Sequence, residues 1–216
     1  NPIRRLDNRL RPDEQRGSDL YGHTDPAAPR FDTVATCHGC HTLDREAGFF
    51  GSGGLTTFEN EPQEMKVAHL RNLYQKVGMF GMPSVPFLGA GDFAHRGPQV
   101  RGFGFLHDGS IDTVERFFEA TVFTLDDDQR RDMTAFMMAF DSTLPPIVGE
   151  QLTVTGALDE AERARLELLL ERAEAPLVWP GGHETTECDL VAHAVVGGEA
   201  RGYLYRDGAF VPDRED

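Results

Sequence analysis

The feature that most constrains this chain is a five-residue run with two cysteines and a histidine in little more than one helical turn, Cys37-His38-Gly39-Cys40-His41. Cys-x-x-Cys-His is the sequence at which haem is attached covalently. Two thiols on one short turn can add to the two vinyl groups of a haem, and the next imidazole can bind the iron from the proximal side. The run therefore predicts one covalent haem c, held by Cys37 and Cys40, with His41 as an iron ligand.

Two other kinds of site use a Cys-x-x-Cys pair. A zinc site needs two more good ligands, but the remaining cysteine, Cys188, lies far along the sequence. A thioredoxin-like redox pair needs a strand–helix–strand unit around the motif, and no such unit is predicted there. Haem attachment is therefore the preferred interpretation, and His38 is expected to be an exposed polar residue.

The iron of such a haem usually takes a sixth ligand, and methionine raises the reduction potential in a way that suits electron transfer. Three of the six methionines fall on the apolar face of a predicted helix and are expected to fill the core: Met133, Met137 and Met138. Met79 and Met82 lie in a glycine-broken stretch, where packing gives no reason for a methionine. We predict Met79 as the sixth ligand and Met82 as its alternative, with His107 and His95 as weaker nitrogen ligands.

Three further residues are predicted to contact the haem. Phe80 would wall the haem and limit water, although core packing explains this phenylalanine equally well. Arg71 and Arg101 could each neutralise a haem propionate because arginine offers paired donors. Solvation at the surface is the alternative for both arginines.

The distribution of helical and irregular stretches predicts a haem domain over residues 1–148 and a small α+β appendage over 149–216. Helices are predicted over 12–22, 111–121 and 125–140. The stretch 78–109 holds 8 glycines and 3 prolines in 32 residues, which predicts a long loop. In the appendage we expect a strand at 151–155, a helix from Asp159 to about 175, a loop over 176–186, and three short strands. Hairpin turns are expected at Gly197-Gly198 and Asp207-Gly208.

Three parts of the chain resemble known cytochromes. The helix over 10–21 and the motif after it are similar to the start of a class I-like cytochrome c, whose N-terminal helix crosses a C-terminal one, here 125–140. Two segments, Val67-Ala68-His69-Leu70-Arg71-Asn72 and Phe105-Leu106-His107-Asp108-Gly109-Ser110, resemble blocks of the bacterial dihaem cytochrome c peroxidase family. The resemblance covers about residues 10–144, matches the electron-transferring haem domain, and implies a mainly α, class I-like cytochrome c fold with long glycine-rich loops.

The chain also departs from that family. It has one haem motif where the family has two, and the family's sixth ligand lies beyond the His-Asp-Gly block. Here that stretch, 119–123, has no methionine, histidine or tyrosine, so the family's ligand has no counterpart. An electron carrier or electron-transfer domain with His/Met ligation is therefore expected rather than an enzyme. The alternatives are a peroxidase-like enzyme with an open or exchangeable sixth position, and an interaction module that carries haem incidentally.

Charge narrows the range of partners. The net charge is -15, which argues against nucleic-acid binding, and no apolar run approaches a membrane span. A redox protein with a basic docking face is the expected partner. The abrupt start at Asn1 indicates either a removed leader or a piece of a longer chain or complex. Because the resemblance implies haem attachment outside the bacterial cytoplasm, we expect a periplasmic or extracellular protein.

Overall fold

The computed structural model describes residues 1–22, 36–56, 63–78 and 102–214. Of these residues, 28% are helical and 23% lie in strands, and the strands form four small antiparallel sheets. The prediction of a mainly α, class I-like fold is therefore wrong. Short backbone ladders join the loops around the motif, and hairpins make up most of the appendage. The short ladders around the motif were not predicted, because strands of two residues leave no periodic pattern in the sequence.

Two helices in contact form the centre of residues 1–148. Helix α1 spans Pro12–Tyr21 and the fourth helix, α4, spans Asp127–Met138, close to the predicted ranges. They make the most extensive helix–helix contact in the described part of the chain. At the crossing, a Cβ on Gly17 would lie 2.1 Å from the carbonyl oxygen of Asp132, so only glycine fits there. The two helices expected to meet are thus in contact.

The core of residues 1–148 is built around these two helices. Its buried members include Met133, Phe136 and Met137 on α4 and Tyr21 on α1, and aliphatic and aromatic side chains from the neighbouring segments complete it. The prediction that these methionines fill the core is confirmed, and Met138 packs on the edge of the same cluster. α4 begins with a capping box in which Asp126 and Gln129 exchange hydrogen bonds, two residues later than the Thr124–Asp127 pair that the sequence pattern indicates.

Short elements surround the motif. Helix α2 is the single turn Cys37–Cys40, and the two-residue strands β1 (Leu43–Asp44) and β2 (Phe49–Phe50) form a hairpin after it. Strands β3 (Leu55–Thr56) and β4 (Met65–Lys66) pair with each other, and a 3₁₀ turn follows at Leu73–Gln75. Helix α3 covers only Val114–Phe117, shorter than the predicted 111–121.

The appendage combines one helix with two sheets. Helix α5 spans Glu160–Glu174 and has the predicted Asp159–Glu162 capping box. A hairpin of β5 (Pro176–Trp179) and β6 (His183–Thr186) follows where a loop was expected. Strands β7 (Val191–Val196), β8 (Glu199–Arg206) and β9 (Ala209–Pro212) form the expected meander. The strand predicted at 151–155 is absent from the structure, because those residues pair with no described strand.

None of the helices in the described ranges is both long and apolar enough to cross a membrane.

Candidate haem attachment site

The two motif cysteines lie at either end of helix α2. Thr36 caps this turn, because its side-chain oxygen accepts a hydrogen bond from the Gly39 amide at 3.1 Å. The backbone N–H of His41 donates to the Cys37 carbonyl at 2.8 Å and closes the turn. Both cysteines are half-buried and neither forms a disulfide. The structure therefore presents Cys37, Cys40 and His41 on one closed turn, with neither cysteine in a disulfide.

The imidazole of His41 is held by one ring nitrogen. Its Nδ1 lies 2.7 Å from the carbonyl oxygen of Gly51, and a carbonyl can only accept, so Nδ1 carries the proton. In the neutral ring, Nε2 then keeps its lone pair. Burial lowers the pKa of His41, against the opposing effect of the Gly51 and Ala68 carbonyls. A neutral imidazole whose Nδ1 donates to a backbone carbonyl suits a metal ligand that binds through Nε2.

The carbonyl that orients His41 is itself fixed by packing. Gly51 has φ +75°, and its amide donates to the Thr42 carbonyl at 2.7 Å. A Cβ on Gly51 would lie 2.6 Å from Cγ of Leu70, so the Leu70 side chain occupies the space beside the glycine. The Leu70 amide also donates to the Phe50 carbonyl at 2.9 Å. The segment 67–72, singled out from the sequence, therefore packs against the hairpin that holds His41.

Tyr21 joins the motif to the helix pair, and nothing in the sequence pattern indicated it. Its hydroxyl donates to the backbone carbonyl of His41. Its ring lies 5.4 Å, centroid to centroid, from both Phe136 and Phe140. Burial raises the pKa of Tyr21, so the hydroxyl keeps its proton. The same ring meets His38 edge-on at 6.2 Å, so the expectation of a freely exposed His38 is wrong.

Tyr21→Phe is expected to destabilise the protein by about 1 kcal/mol, because it removes one buried hydrogen bond and keeps the ring packing. Urea unfolding of the full chain measures the change. The matched control is Tyr205→Phe, which removes the exposed hydrogen bond from Tyr205 to Glu174 in the appendage. Equal losses from the two variants would contradict the anchoring role of Tyr21.

Arg71 lies beside the same hairpin. Its guanidinium sits 5.1 Å from the ring centroid of buried Phe50, and Arg45 approaches that ring at 5.8 Å. Arg45 is also paired with Asp141, in the segment that follows α4. Of the two arginines predicted to contact propionates, Arg71 is thus next to the residues that hold His41. This placement suits an anionic group near the motif, although the cation–π contact alone also explains the position of Arg71.

Five predicted haem contacts lie outside the described residues: Met79, Phe80, Met82, His95 and Arg101. The structure does describe Gly78 and Gly102, the residues on either side of 79–101, and these two lie next to each other. Gly78 and Gly102 form an isolated parallel bridge, and the Gly78 amide donates to the Asp112 carbonyl at 2.8 Å. A Cβ on Gly102 would lie 2.2 Å from the carbonyl oxygen of Gln75. The chain therefore enters and leaves the segment 79–101 at one fixed place beside the 3₁₀ turn.

His107, the remaining candidate ligand, is exposed in a tight turn. The turn contains Leu106 at φ 64° and Gly109 at φ 73°, and the Ser110 amide donates to Asp108 at 2.9 Å. Burial alone would raise the pKa of Asp108, but hydrogen bonds from Ser110 and the neighbouring His107 hold it below its usual range. These contacts give the His-Asp-Gly block a structural role in shaping the turn.

The zinc and thioredoxin-like interpretations of the motif find no support among the described residues. Within them, no group of three or more His, Cys, Asp or Glu side chains could hold a metal ion. The only sheet directly after α2 is the antiparallel β1–β2 hairpin, which differs from the strand order of a thioredoxin-like site.

No protein-family model, curated protein or solved structure matches this chain. The likeness to the dihaem peroxidase family therefore stays a prediction from short motifs.

Proposed function

We propose that this chain is a c-type haem protein that transfers electrons through one covalently attached haem. The observation that carries the proposal is the orientation of His41. Its Nδ1–H donates to the Gly51 carbonyl, which leaves the lone pair on Nε2, and two cysteines outside any disulfide lie on the same turn. A haem held in this way supplies one-electron chemistry. The chain's own residues supply attachment by Cys37 and Cys40, and orientation of the ligand.

In this proposal, residues around the motif position the proximal imidazole and neutralise the haem propionates. Gly51 and Leu70 fix the proximal imidazole, and Tyr21 ties the turn to the α1–α4 core. Arg71, stacked on Phe50, is proposed to neutralise a propionate, and Arg101 the other. Because these groups are positioned by backbone and aromatic contacts, little reorganisation is expected when the charge on the site changes. Such rigidity favours electron transfer.

For the sixth position we propose Met79, with Met82 as its alternative. Support comes from the pinned ends of the segment 79–101, which begins directly after Gly78 beside Asp112. Both methionines lie within four residues of Gly78, whereas His95 lies seven residues before Gly102 and His107 is exposed in its own turn. Phe80, between the two methionines, is proposed to shield the same side of the haem.

Met79→Ala is expected to remove the weak near-infrared absorption band of methionine–iron ligation and to lower the reduction potential, because the thioether favours ferrous iron. Met82→Ala is the matched control, three residues away in the same segment. Spectra and potentiometric titration of both purified variants give the measurement. If Met82→Ala alone removes the band, Met82 is the ligand; if neither does and His107→Ala or His95→Ala alters the spectrum, the methionine assignment is wrong.

A peroxidase-like enzyme is the competing function. It requires a sixth position that is open or exchangeable, so the ferric protein would be high-spin and would turn over hydrogen peroxide without any substitution. A low-spin ferric spectrum and slow peroxide turnover are expected from the electron carrier. The ferric spectrum of the unmodified protein therefore separates the two functions.

The proposed partner is a redox protein with a basic docking face. The chain carries 36 acidic against 21 basic residues, and the appendage alone carries 15 against 6. Opposite charges speed encounter, and salt screens them over about 10 Å at 0.1 M. Reduction by a small basic redox protein is therefore expected to slow as ionic strength rises from 10 mM to 500 mM. A rate that is constant or increases would indicate an apolar docking face instead.

The proposed location is the periplasm or the cell exterior, where covalent haem attachment takes place in bacteria. Fractionation of cells that produce the full-length protein, followed by haem staining, tests this placement.

A further inference from the structure

The tip of the β5–β6 hairpin contacts the haem domain at one particular place. The backbone N–H of Gly181 donates to the carbonyl of Glu46 at 2.7 Å. A Cβ on Gly182 would lie 3.1 Å from a carboxylate oxygen of Glu46, and one on Gly48 would lie 3.5 Å from the Pro180 ring. The tip of an appendage hairpin thus packs against the turn of the β1–β2 hairpin.

That turn is the outer end of the hairpin that orients His41. From Glu46 the chain returns through Phe49–Phe50 to Gly51, whose carbonyl accepts the Nδ1–H of His41. Backbone pairing joins Leu43 to Phe50 along the hairpin, and Thr42 accepts from Gly51. With only two residues in each strand, this hairpin has few bonds of its own to fix its position.

The appendage is in turn fastened to the haem domain at a second place. Buried Glu187 accepts a hydrogen bond from Asn8 at 2.6 Å and faces Arg172 of α5 at 3.5 Å. Arg172 also donates to the Asp7 carbonyl at 3.2 Å. Two separate contacts therefore hold the base and the tip of the β5–β6 hairpin against the haem domain.

We infer that the β5–β6 tip, residues 180–182, is a positioning element for the proximal ligand. It holds the short β1–β2 hairpin in place, and through Gly51 it maintains the hydrogen bond to His41. This inference gives the appendage a role in the haem site, and its consequence for the potential rests on the proposed function. A metal-bound histidine becomes a more basic ligand when its far ring nitrogen donates a hydrogen bond.

The test removes the contact and leaves the hairpin. In the first variant, Asn-Gly replaces Pro180-Gly181-Gly182, because a two-residue turn can still join β5 to β6. Its control replaces Asp207-Gly208, the turn between β8 and β9, with the same Asn-Gly. In a second pair, Gly182→Leu is compared with Gly208→Leu. These glycines have φ +75° and +79°, so the backbone strain is matched, but a Cβ on Gly208 has no atom within 4 Å.

Amide hydrogen exchange of the full chain, as purified, gives the first readout and does not depend on haem. The amides of Gly51 and Leu70, which bond to Thr42 and Phe50, are expected to exchange about tenfold faster in both tip variants and at the parent rate in both controls. Unchanged exchange in the tip variants would overturn the inference. Equal acceleration in Gly208→Leu would also overturn it, because the effect would then be general destabilisation.

The second readout is the reduction potential of the haem-loaded protein. Loosening the His41 hydrogen bond weakens electron donation by the ligand, so the potential is expected to rise in the tip variants and not in the controls. Absence of covalent haem in the parent would defeat the proposed function and leave the exchange result to decide the positioning role. Covalent haem with an unaltered potential in the tip variants would overturn the inferred effect on the haem.

Discussion

Replacing both motif cysteines, Cys37→Ala with Cys40→Ala, is expected to abolish covalent haem completely. Each thiol supplies one of the two links, so a denaturing gel of the double variant should show no haem stain. The matched control is Cys188→Ala, which removes the third half-buried thiol of the chain. Cys188 lies in the appendage, and burial raises the pKa of its thiol, so it is not expected to attach haem.

Two results would contradict this expectation. Covalent haem in the double variant would show that another residue attaches it. Loss of covalent haem in Cys188→Ala, with both motif cysteines intact, would show that the three cysteines are not independent. Each single variant, Cys37→Ala or Cys40→Ala, keeps one thiol and is expected to retain at most one link.

Gly17→Ala is expected to destabilise the protein by about 2 kcal/mol. Alanine is better than glycine in a helix by about 1 kcal/mol, but overpacking at a close crossing costs about 3 kcal/mol or more. The new methyl group would lie 2.1 Å from the Asp132 carbonyl oxygen and 2.7 Å from Cβ of Phe136, and backbone cannot move away as a flexible side chain can. The free energy of unfolding in urea measures the balance.

Gly156→Ala is the control for that measurement, because a Cβ there meets nothing within 4 Å. Its effect should stay within about 0.5 kcal/mol. A Gly17→Ala variant more stable than the parent would mean that helix propensity dominates, and that α1 and α4 do not approach as closely as described.

Local signals in the sequence predicted the three longer helices and two of the hairpins, β7–β8 and β8–β9. Pro12 at the start of α1 and the Asp159–Glu162 box of α5 act within a few residues, so each is visible in a short window. The turns at Gly197-Gly198 and Asp207-Gly208 are visible for the same reason, and all four residues have positive φ. Gly181 and Gly182 gave an equivalent signal for the β5–β6 hairpin, which the sequence-based interpretation assigned to a loop.

The partners of the motif could not be predicted from the sequence. Gly51 accepts from His41 and Leu70 packs against Gly51 only once the backbone has folded, and neither residue type carries a chemical signature. Tyr21 is twenty residues from His41 and acts through a single hydroxyl group. The fold class was wrong for a related reason, because two-residue ladders such as β1–β2 depend on tertiary contacts and not on a repeating pattern.

The most direct test of the central claim is the intact mass of the denatured full-length chain, produced in cells that attach haem in the periplasm. A covalent haem survives unfolding, so the mass should equal that of the chain plus one haem, and two of its three cysteines should resist alkylation. A mass equal to that of the chain alone, with Cys37 and Cys40 both open to alkylation, would contradict the assignment of this protein as a c-type haem protein.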